Sequence, residues 1–301
     1  MGMTTDQIIE AALDRLVSDY IFEDKAAETA AAVRDRLAAG AYEPLAGEEL
    51  CQAVTADFQQ VTGDKHLRLL WSEEPQEVGE EGEEDEDFFA ELARSENQGI
   101  RRVERLEGNI GYIETTLVGE PGEAAAMISA AMTLIAQTEA LILDLRRNRG
   151  GSTYGMTHWC SYLFPGVESV HLTDVHCRST GLTQQFWTVP YVPGQRYLDR
   201  PVYVLTGPVT FSGAEDLAYN LQARGRAVLV GETTRGGAHP TKYYPLSEHI
   251  SVTIPWARSI NPVTGGDWEG VGVVPDLAVP TEEAFEVAYQ AALQGLSAPQ
   301  A

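Results

Sequence analysis

The chain has 301 residues, 44% of them hydrophobic, which is enough for one large globular domain or two smaller ones. Its 45 acidic and 21 basic residues give a net charge of −24, which excludes nucleic acid as a partner because no basic patch offsets the repulsion. No apolar run approaches the roughly 18–20 residues of a membrane helix. Residues 1–7 lack the basic start and apolar stretch of a signal peptide, which favours the cytoplasm.

Neither the cysteines nor the acidic residues form a pattern typical of a metal site. Cys51, Cys160 and Cys177 are odd in number and widely spaced, so they are expected to be buried, reduced thiols. Ten of the fifteen residues in 73–87 are acidic but lack the Asp/Asn-Gly order of a calcium loop. Like-charge repulsion favours a solvated segment. We therefore expect no cofactor, no metal and a disordered acidic linker over residues 73–99.

Residues 1–72 are predicted to form a small helical domain. The first helix carries its apolar face on Ile8, Ile9, Ala12, Leu16 and Tyr20. Thr5 or Asp6 is expected to cap its start. Further helices are predicted at 26–39 and 48–61, and the alternation at 67–71 indicates a strand.

Residues 100–301 alternate strand and helix patterns. Strands are predicted at 109–115, 140–145, 202–205, 227–230 and 250–256, and helices at 123–137, 212–223 and 282–293. This alternation implies right-handed crossovers and a mostly parallel sheet. The sequence thus predicts an α/β core over residues 100–301.

Ser212 is the candidate nucleophile. It follows a predicted buried strand and stands at the start of a helix, where free N–H groups stabilise a developing oxyanion. Gly213 leaves space beside it. The segment alone favours an ordinary N-cap, with Glu215 completing a capping box, over a nucleophile.

A serine nucleophile needs a base and a group that orients the base. His66 lies at the junction of the helical part with a strand, and His239 lies in a glycine-rich loop. Spacing does not select between them, because the partners of a catalytic triad are distant in sequence. Glu269 stands between Trp268 and Gly270 in an acidic loop that is also consistent with an exposed turn.

Several segments together resemble the tail-specific, or C-terminal processing, serine protease family. The likeness is greatest to the branch that contains the modules of the interphotoreceptor retinoid-binding protein. Besides the helical N-terminal part, it covers residues 106–112, 141–146, 150–151, 186–190, 204–206, 210–220, 230–238 and 268–276, in the family's order.

The resemblance implies a crotonase/ClpP-like α/β core after an N-terminal helical domain, acting on a peptide or unfolded protein. It implies Ser212 as nucleophile, His66 as general base and Glu269 as its acidic partner. The oxyanion hole would be lined by the N–H groups of Gly213 and of Gly150 or Gly151.

The sequence departs from the family pattern in two places. Well-known members use a serine–lysine dyad, whereas the corresponding segment here, residues 231–237, contains no lysine, which favours the histidine mechanism. The stretch between His66 and Ile100 is too short and too acidic for a PDZ domain.

A non-proteolytic binding module for apolar ligands, such as a retinoid or fatty acid, is the alternative on the same scaffold. Its pocket would be lined by the aromatic residues Tyr154, Trp159, Phe164, Phe186, Trp187 and Trp256. The joint presence of Ser212, His66 and Glu269 favours the enzyme, because a pure binder has no chemical need for them. The sequence leaves homo-oligomerisation and an interaction role for the acidic block open.

Overall fold

The computed structural model describes residues 3–76, 78, 91 and 93–297. The helices are α1 (Thr5–Asp19), α2 (Glu23–Ala38), α3 (Gly47–Thr62), α4 (Pro121–Ile135), α5 (Thr153–Leu163), α6 (Gly213–Ala223) and α7 (Ala284–Ser297). The strands are β1 (Arg68–Trp71), β2 (Ile100–Leu106), β3 (Ile110–Thr115), β4 (Ala140–Asp144), β5 (His171–Cys177), β6 (Thr183–Trp187), β7 (Val202–Thr206), β8 (Val228–Gly231), β9 (Thr241–Pro245), β10 (Ile250–Pro255), β11 (Ala257–Ile260) and β12 (Leu277–Ala278).

The chain divides into two compact units. Unit 1 consists of Met1–Phe88, Val175–Gln184 and His239–Ser259. Unit 2 consists of Phe89–Asp174, Gln185–Ala238 and Ile260–Ala301. Three of the five boundaries between the units fall inside strands, namely β5, β6 and β11.

Unit 1 combines the predicted N-terminal helices with a three-stranded antiparallel sheet of order β1-β10-β9. Thr4, rather than the predicted Thr5 or Asp6, caps α1. Its hydroxyl accepts the backbone N–H of Gln7, and Gln7 Oε1 accepts the backbone N–H of Thr4. In the sheet, Leu69 stands opposite Val252, and both are buried in one core with the helices. This pairing is why residues 239–259 belong to unit 1, whereas the sequence predicts them in the α/β core that begins at residue 100.

Unit 2 contains a six-stranded sheet of order β12-β8-β7-β4-β3-β2. Every neighbouring pair is parallel except β2 with β3, so the predicted mostly parallel sheet is confirmed. All five residues of β4 are buried, as its continuous apolar run predicts. Leu141 and Leu143 pack in the same core as α4, α5 and α6, whereas Ile142 packs with α7. Helices therefore cover both faces of the sheet.

The prediction of disorder for the acidic linker concerns mainly residues 77, 79–90 and 92, which lie outside the described residues. Before this gap, the Gln76 N–H donates to the Glu248 carbonyl at 2.8 Å. The three cysteines are free and buried, as predicted. Among the described helices, none has both the length and the apolar character needed to cross a membrane.

Candidate active site

The turn that carries Ser212 leads from β7 into α6 and is fixed by buried hydrogen bonds. Thr210 is fully buried; its hydroxyl donates to the Leu145 carbonyl at 2.9 Å and accepts the Gly207 N–H at 3.0 Å. The Phe211 N–H donates to the Asn148 carbonyl at 3.1 Å. These bonds hold the turn against the loop that follows β4.

Ser212 is the N-cap of α6 and has an unusual backbone conformation, with φ 52° and ψ −124°. A non-glycine residue in such a region costs on the order of 1–3 kcal/mol and persists only where its surroundings enforce it. The following helix directs unpaired N–H groups towards its own start. The predicted N-cap position is confirmed, and its strained backbone is a feature that the sequence did not show.

Gly150 and Gly151 lie directly against Ser212 and Gly213. A Cβ built on Gly150 would stand 2.7 Å from the Ser212 Cβ and 2.9 Å from the Gly213 nitrogen. A Cβ built on Gly213 would stand 2.6 Å from the Gly151 carbonyl oxygen. Both Gly150 and Gly151 have positive φ values, 105° and 133°. Only glycine permits this approach of two backbone segments without displacing one of them.

The N–H groups of this loop differ in availability. The Gly150 N–H donates to the Asn148 side-chain oxygen at 2.9 Å. The Gly213 N–H belongs to the first turn of α6, which offers it no intrahelical acceptor. Of the two glycines that the sequence offers beside Gly213, Gly150 thus has its N–H already bound to a side chain.

The carboxylate of Glu215 is fully buried and connects the Ser212 turn with a second loop. Its Oε2 accepts the N–H groups of Ser212 at 2.8 Å and Gly237 at 2.9 Å. Its Oε1 accepts the Gly236 N–H at 2.6 Å and the Thr234 hydroxyl. Burial raises the pKa of Glu215 above its ordinary value, while these hydrogen bonds act in the opposite direction. The sequence indicates Glu215 only as part of a capping box.

Glu269 lies in a loop that packs against the segment held by Glu215. Its Oε2 accepts the Ala238 N–H at 2.5 Å. The neighbouring Trp268 is buried, and its indole N–H donates to the Gly237 carbonyl at 2.9 Å. Within unit 2, therefore, the loop that carries Glu269 is joined to the Ser212 turn through residues 236–238.

His66 lies in unit 1, just before β1, and is buried. Its backbone N–H donates to Asp64 Oδ1 at 3.0 Å, and its backbone carbonyl accepts the Thr253 hydroxyl at 2.6 Å. The other Asp64 oxygen, Oδ2, is 2.6 Å from His239 Nδ1 and accepts the Tyr20 hydroxyl at 3.2 Å. This buried carboxylate–imidazole pair joins residues 175 positions apart, which spacing does not reveal.

The predicted site residues are thus distributed over both units: His66 lies in unit 1 and Ser212, Glu269 and the three glycines lie in unit 2. The structure brings Ser212 together with Gly150, Gly151 and Gly213.

The segment in which other members of the resembled family place a lysine contacts the turn that carries Ser212. Its Arg235 N–H donates to the Thr210 carbonyl at 3.0 Å, and the guanidinium carbon lies 4.7 Å from the centre of the Phe211 ring. Gly236 and Gly237 follow, bound to Glu215. This segment therefore supports the turn through its backbone.

Three of the six aromatic residues considered for an apolar ligand pocket are buried, and Trp256 is partly buried. Trp159, Phe164 and Phe186 are buried, whereas Tyr154 and Trp187 are 53% and 42% exposed. A cavity of about 410 Å³ is lined by residues 198–203 and 225–228, and one of about 250 Å³ by residues around Ile100 and Leu134. Neither of these cavities includes the aromatic residues, and the apolar ligand stays a prediction.

Comparison with known proteins identifies the family. A model described as "Peptidase family S41" matches residues 109–279, and one described as the N-terminal domain of peptidase S41 in eukaryotic IRBP matches residues 3–105. A carboxyl-terminal-processing protease of Picosynechococcus sp. is 29% identical over 206 residues, which cover 64% of this chain and 46% of that protein. The chain thus spans about half the length of this curated relative.

Solved structures share the fold. The tricorn protease has a TM-score of 0.63 at 14% identity, covering 98% of this chain and 37% of its own. The photosystem II D1 C-terminal processing protease has a TM-score of 0.56 at 16% identity, covering 93% and 94%. These matches confirm the predicted core fold, and the first family model alone covers more than half of the sequence. The chain belongs to peptidase family S41.

Proposed function

We propose that the chain is a serine-type peptidase that hydrolyses peptide bonds of unfolded polypeptides by a Ser-His-Glu mechanism. The observation that carries the proposal is the conformation of Ser212, which is held at φ 52° at the start of a helix and faces Gly150 and Gly151. Strained backbone at a nucleophile directs its hydroxyl out of the turn, towards a substrate. Membership of a peptidase family supports the same chemistry.

In the proposed reaction, Ser212 Oγ attacks the carbonyl carbon of the scissile bond while His66 takes the hydroxyl proton. Negative charge develops on the carbonyl oxygen, which the N–H groups of Gly213 and Gly151 stabilise. His66 then donates its proton to the leaving amine, which leaves an acyl-enzyme. Water, deprotonated by His66, hydrolyses the ester and restores Ser212. Glu269 orients the imidazole and stabilises its protonated form.

We further propose that substrates enter without a PDZ domain between His66 and Ile100. That interval has 33 residues, many of them acidic, and the match to the IRBP-type N-terminal domain extends across it. A strongly acidic chain favours basic or neutral polypeptides over acidic ones, because like charges repel at the encounter stage.

Labelling with a fluorophosphonate probe and cleavage of an unfolded protein such as casein test the proposal. We expect Ser212→Ala to abolish labelling. His66→Gln and Glu269→Gln should both lower the rate of cleavage, the histidine variant by at least about a thousandfold. Ser169→Ala, at an exposed position, is the matched control and should retain wild-type rates. Equal cleavage by wild type and Ser212→Ala would disprove the proposal. Full activity of His66→Gln would disprove the histidine mechanism but would leave Ser212 as the proposed nucleophile.

A further inference from the structure

Asp64 and His239 form a buried pair that the proposed mechanism does not use. Their side chains are 1% and 3% exposed in unit 1, and Asp64 Oδ2 lies 2.6 Å from His239 Nδ1. A carboxylate only accepts hydrogen bonds, so His239 carries a proton on Nδ1. The edge-on contact between His239 and the Phe22 ring, with centroids 5.5 Å apart, further restricts the imidazole.

Asp64 transmits this restraint to His66. One carboxylate oxygen is held by His239 and by the Tyr20 hydroxyl, and the other accepts the His66 N–H at 3.0 Å. The Thr253 hydroxyl binds the His66 carbonyl at 2.6 Å. Both backbone polar groups of His66 are therefore bound by buried side chains of unit 1. A general base must be held to within about 0.5 Å of its productive position, and such bonds provide that restraint.

We propose that His239, acting through Asp64, is a positioning residue for His66. This inference rests on the proposed function, in which His66 transfers the proton of Ser212. Without the Nδ1 donor of His239, the Asp64 carboxylate, which is 1% exposed, loses one of its three hydrogen-bond donors. A buried carboxylate that lacks a donor costs free energy. The carboxylate then moves towards the remaining Tyr20 hydroxyl. This movement loosens the bond to the backbone N–H of His66.

The matched variants His239→Asn and His239→Gln test the proposal. The Asn amide nitrogen falls near the position of Nδ1 and can donate to Asp64, whereas the Gln amide falls near Nε2. We expect His239→Gln to lower kcat by roughly 100-fold, the size of effect that a misplacement of about 1 Å produces, with KM unchanged. His239→Asn should recover kcat to within about fivefold of wild type. His176→Ala, at a partly exposed histidine of the same unit, is the control and should match wild type.

The outcomes separate this inference from the proposed function. If Ser212→Ala abolishes activity while His239→Asn and His239→Gln lose kcat equally, the donor to Asp64 is not the relevant property and the positioning role is wrong. If both His239 variants keep wild-type kcat, the inference fails while the serine mechanism stands. If Ser212→Ala retains activity, the proposed function itself fails. Circular dichroism and thermal unfolding of each variant establish that the compared proteins are folded.

Discussion

The Glu215 carboxylate accepts the backbone N–H of Ser212 at 2.8 Å, and the same oxygen accepts the N–H of Gly237 at 2.9 Å. A single buried side chain therefore fixes both the strained turn of the candidate nucleophile and the loop against which Trp268 and Glu269 pack. The Ser-x-x-Glu spacing of an ordinary capping box is used here to join two parts of the candidate site.

Glu215→Gln is expected to impair catalysis more than binding. Each carboxylate oxygen accepts two donors, so an amide nitrogen in place of either oxygen would face two N–H or O–H groups. We expect kcat to fall by at least about 100-fold and the free energy of unfolding to fall by about 1–3 kcal/mol. Steady-state kinetics and urea unfolding measure both. Glu283→Gln, an exposed position, should change neither, and a wild-type kcat for Glu215→Gln would contradict the role.

Gly150→Ala is expected to displace the nucleophile. The new Cβ would stand 2.7 Å from the Ser212 Cβ, and the φ of 105° is unfavourable for any residue with a Cβ. The second-order rate of fluorophosphonate labelling should fall by about 100-fold or more. Gly122→Ala is the control, because nothing lies within 4 Å of its Cβ and it sits in the first turn of α4. That variant should label like wild type; equal rates for the two variants would show that Gly150 does not set the geometry of the site.

The sequence predicts two kinds of element well. These are helices that bury a single face, which gives a clear period, and strands that are completely buried, which gives a continuous apolar run. The apolar run at residues 140–145 is β4, and the predicted helix after Ser212 is α6. Helix α5 was not predicted, because eight of its eleven residues are buried and its sequence contains glycine, threonine and aromatic residues of modest helix propensity. A helix buried on most of its surface has no polar face to reveal its period.

The contacts that organise the candidate site were not predictable in the same way. Glu215 binds residues 21 and 22 positions away, and Asp64 binds His239 at a separation of 175. Such pairs depend on how strands are ordered, not on local spacing. Within residues 239–259, strand β10 pairs with β1. The strand pattern at 250–256 does not indicate which strand is its partner.

Asp216, the neighbour of Glu215 in α6, is a buried acid with few partners. The Asn220 side-chain amide donates to its Oδ1 at 2.8 Å, and Asn220 Oδ1 accepts the Asn261 side-chain amide at 3.2 Å. Burial raises the pKa of Asp216 to about 7, although the bond from Asn220 lowers it. The acid is therefore protonated in the folded state at pH values where it is ionised in the unfolded chain.

The sign of the pH dependence follows from proton uptake. Between the ordinary pKa of an aspartate, about 4, and the folded pKa of about 7, the folded state holds one proton more than the unfolded state. The contribution of Asp216 to stability is therefore complete below about pH 4. It is lost as the pH rises to about 7, with a slope of at most roughly 1.4 kcal/mol per pH unit.

Asp216→Asn should remove this contribution to the pH dependence, because the amide is neutral at every pH and its oxygen can still accept the Asn220 bond. Urea unfolding of wild type and variant at pH 5, 6, 7 and 8 measures the difference in unfolding free energy, in which the titration of all other groups cancels. We expect the variant to gain stability relative to wild type as the pH rises from 5 to 7, and the difference to level off by pH 8. The exposed substitution Asp35→Asn should give a difference that does not vary over this range. A constant difference for Asp216→Asn as well would mean that Asp216 is already ionised in the folded protein at pH 5.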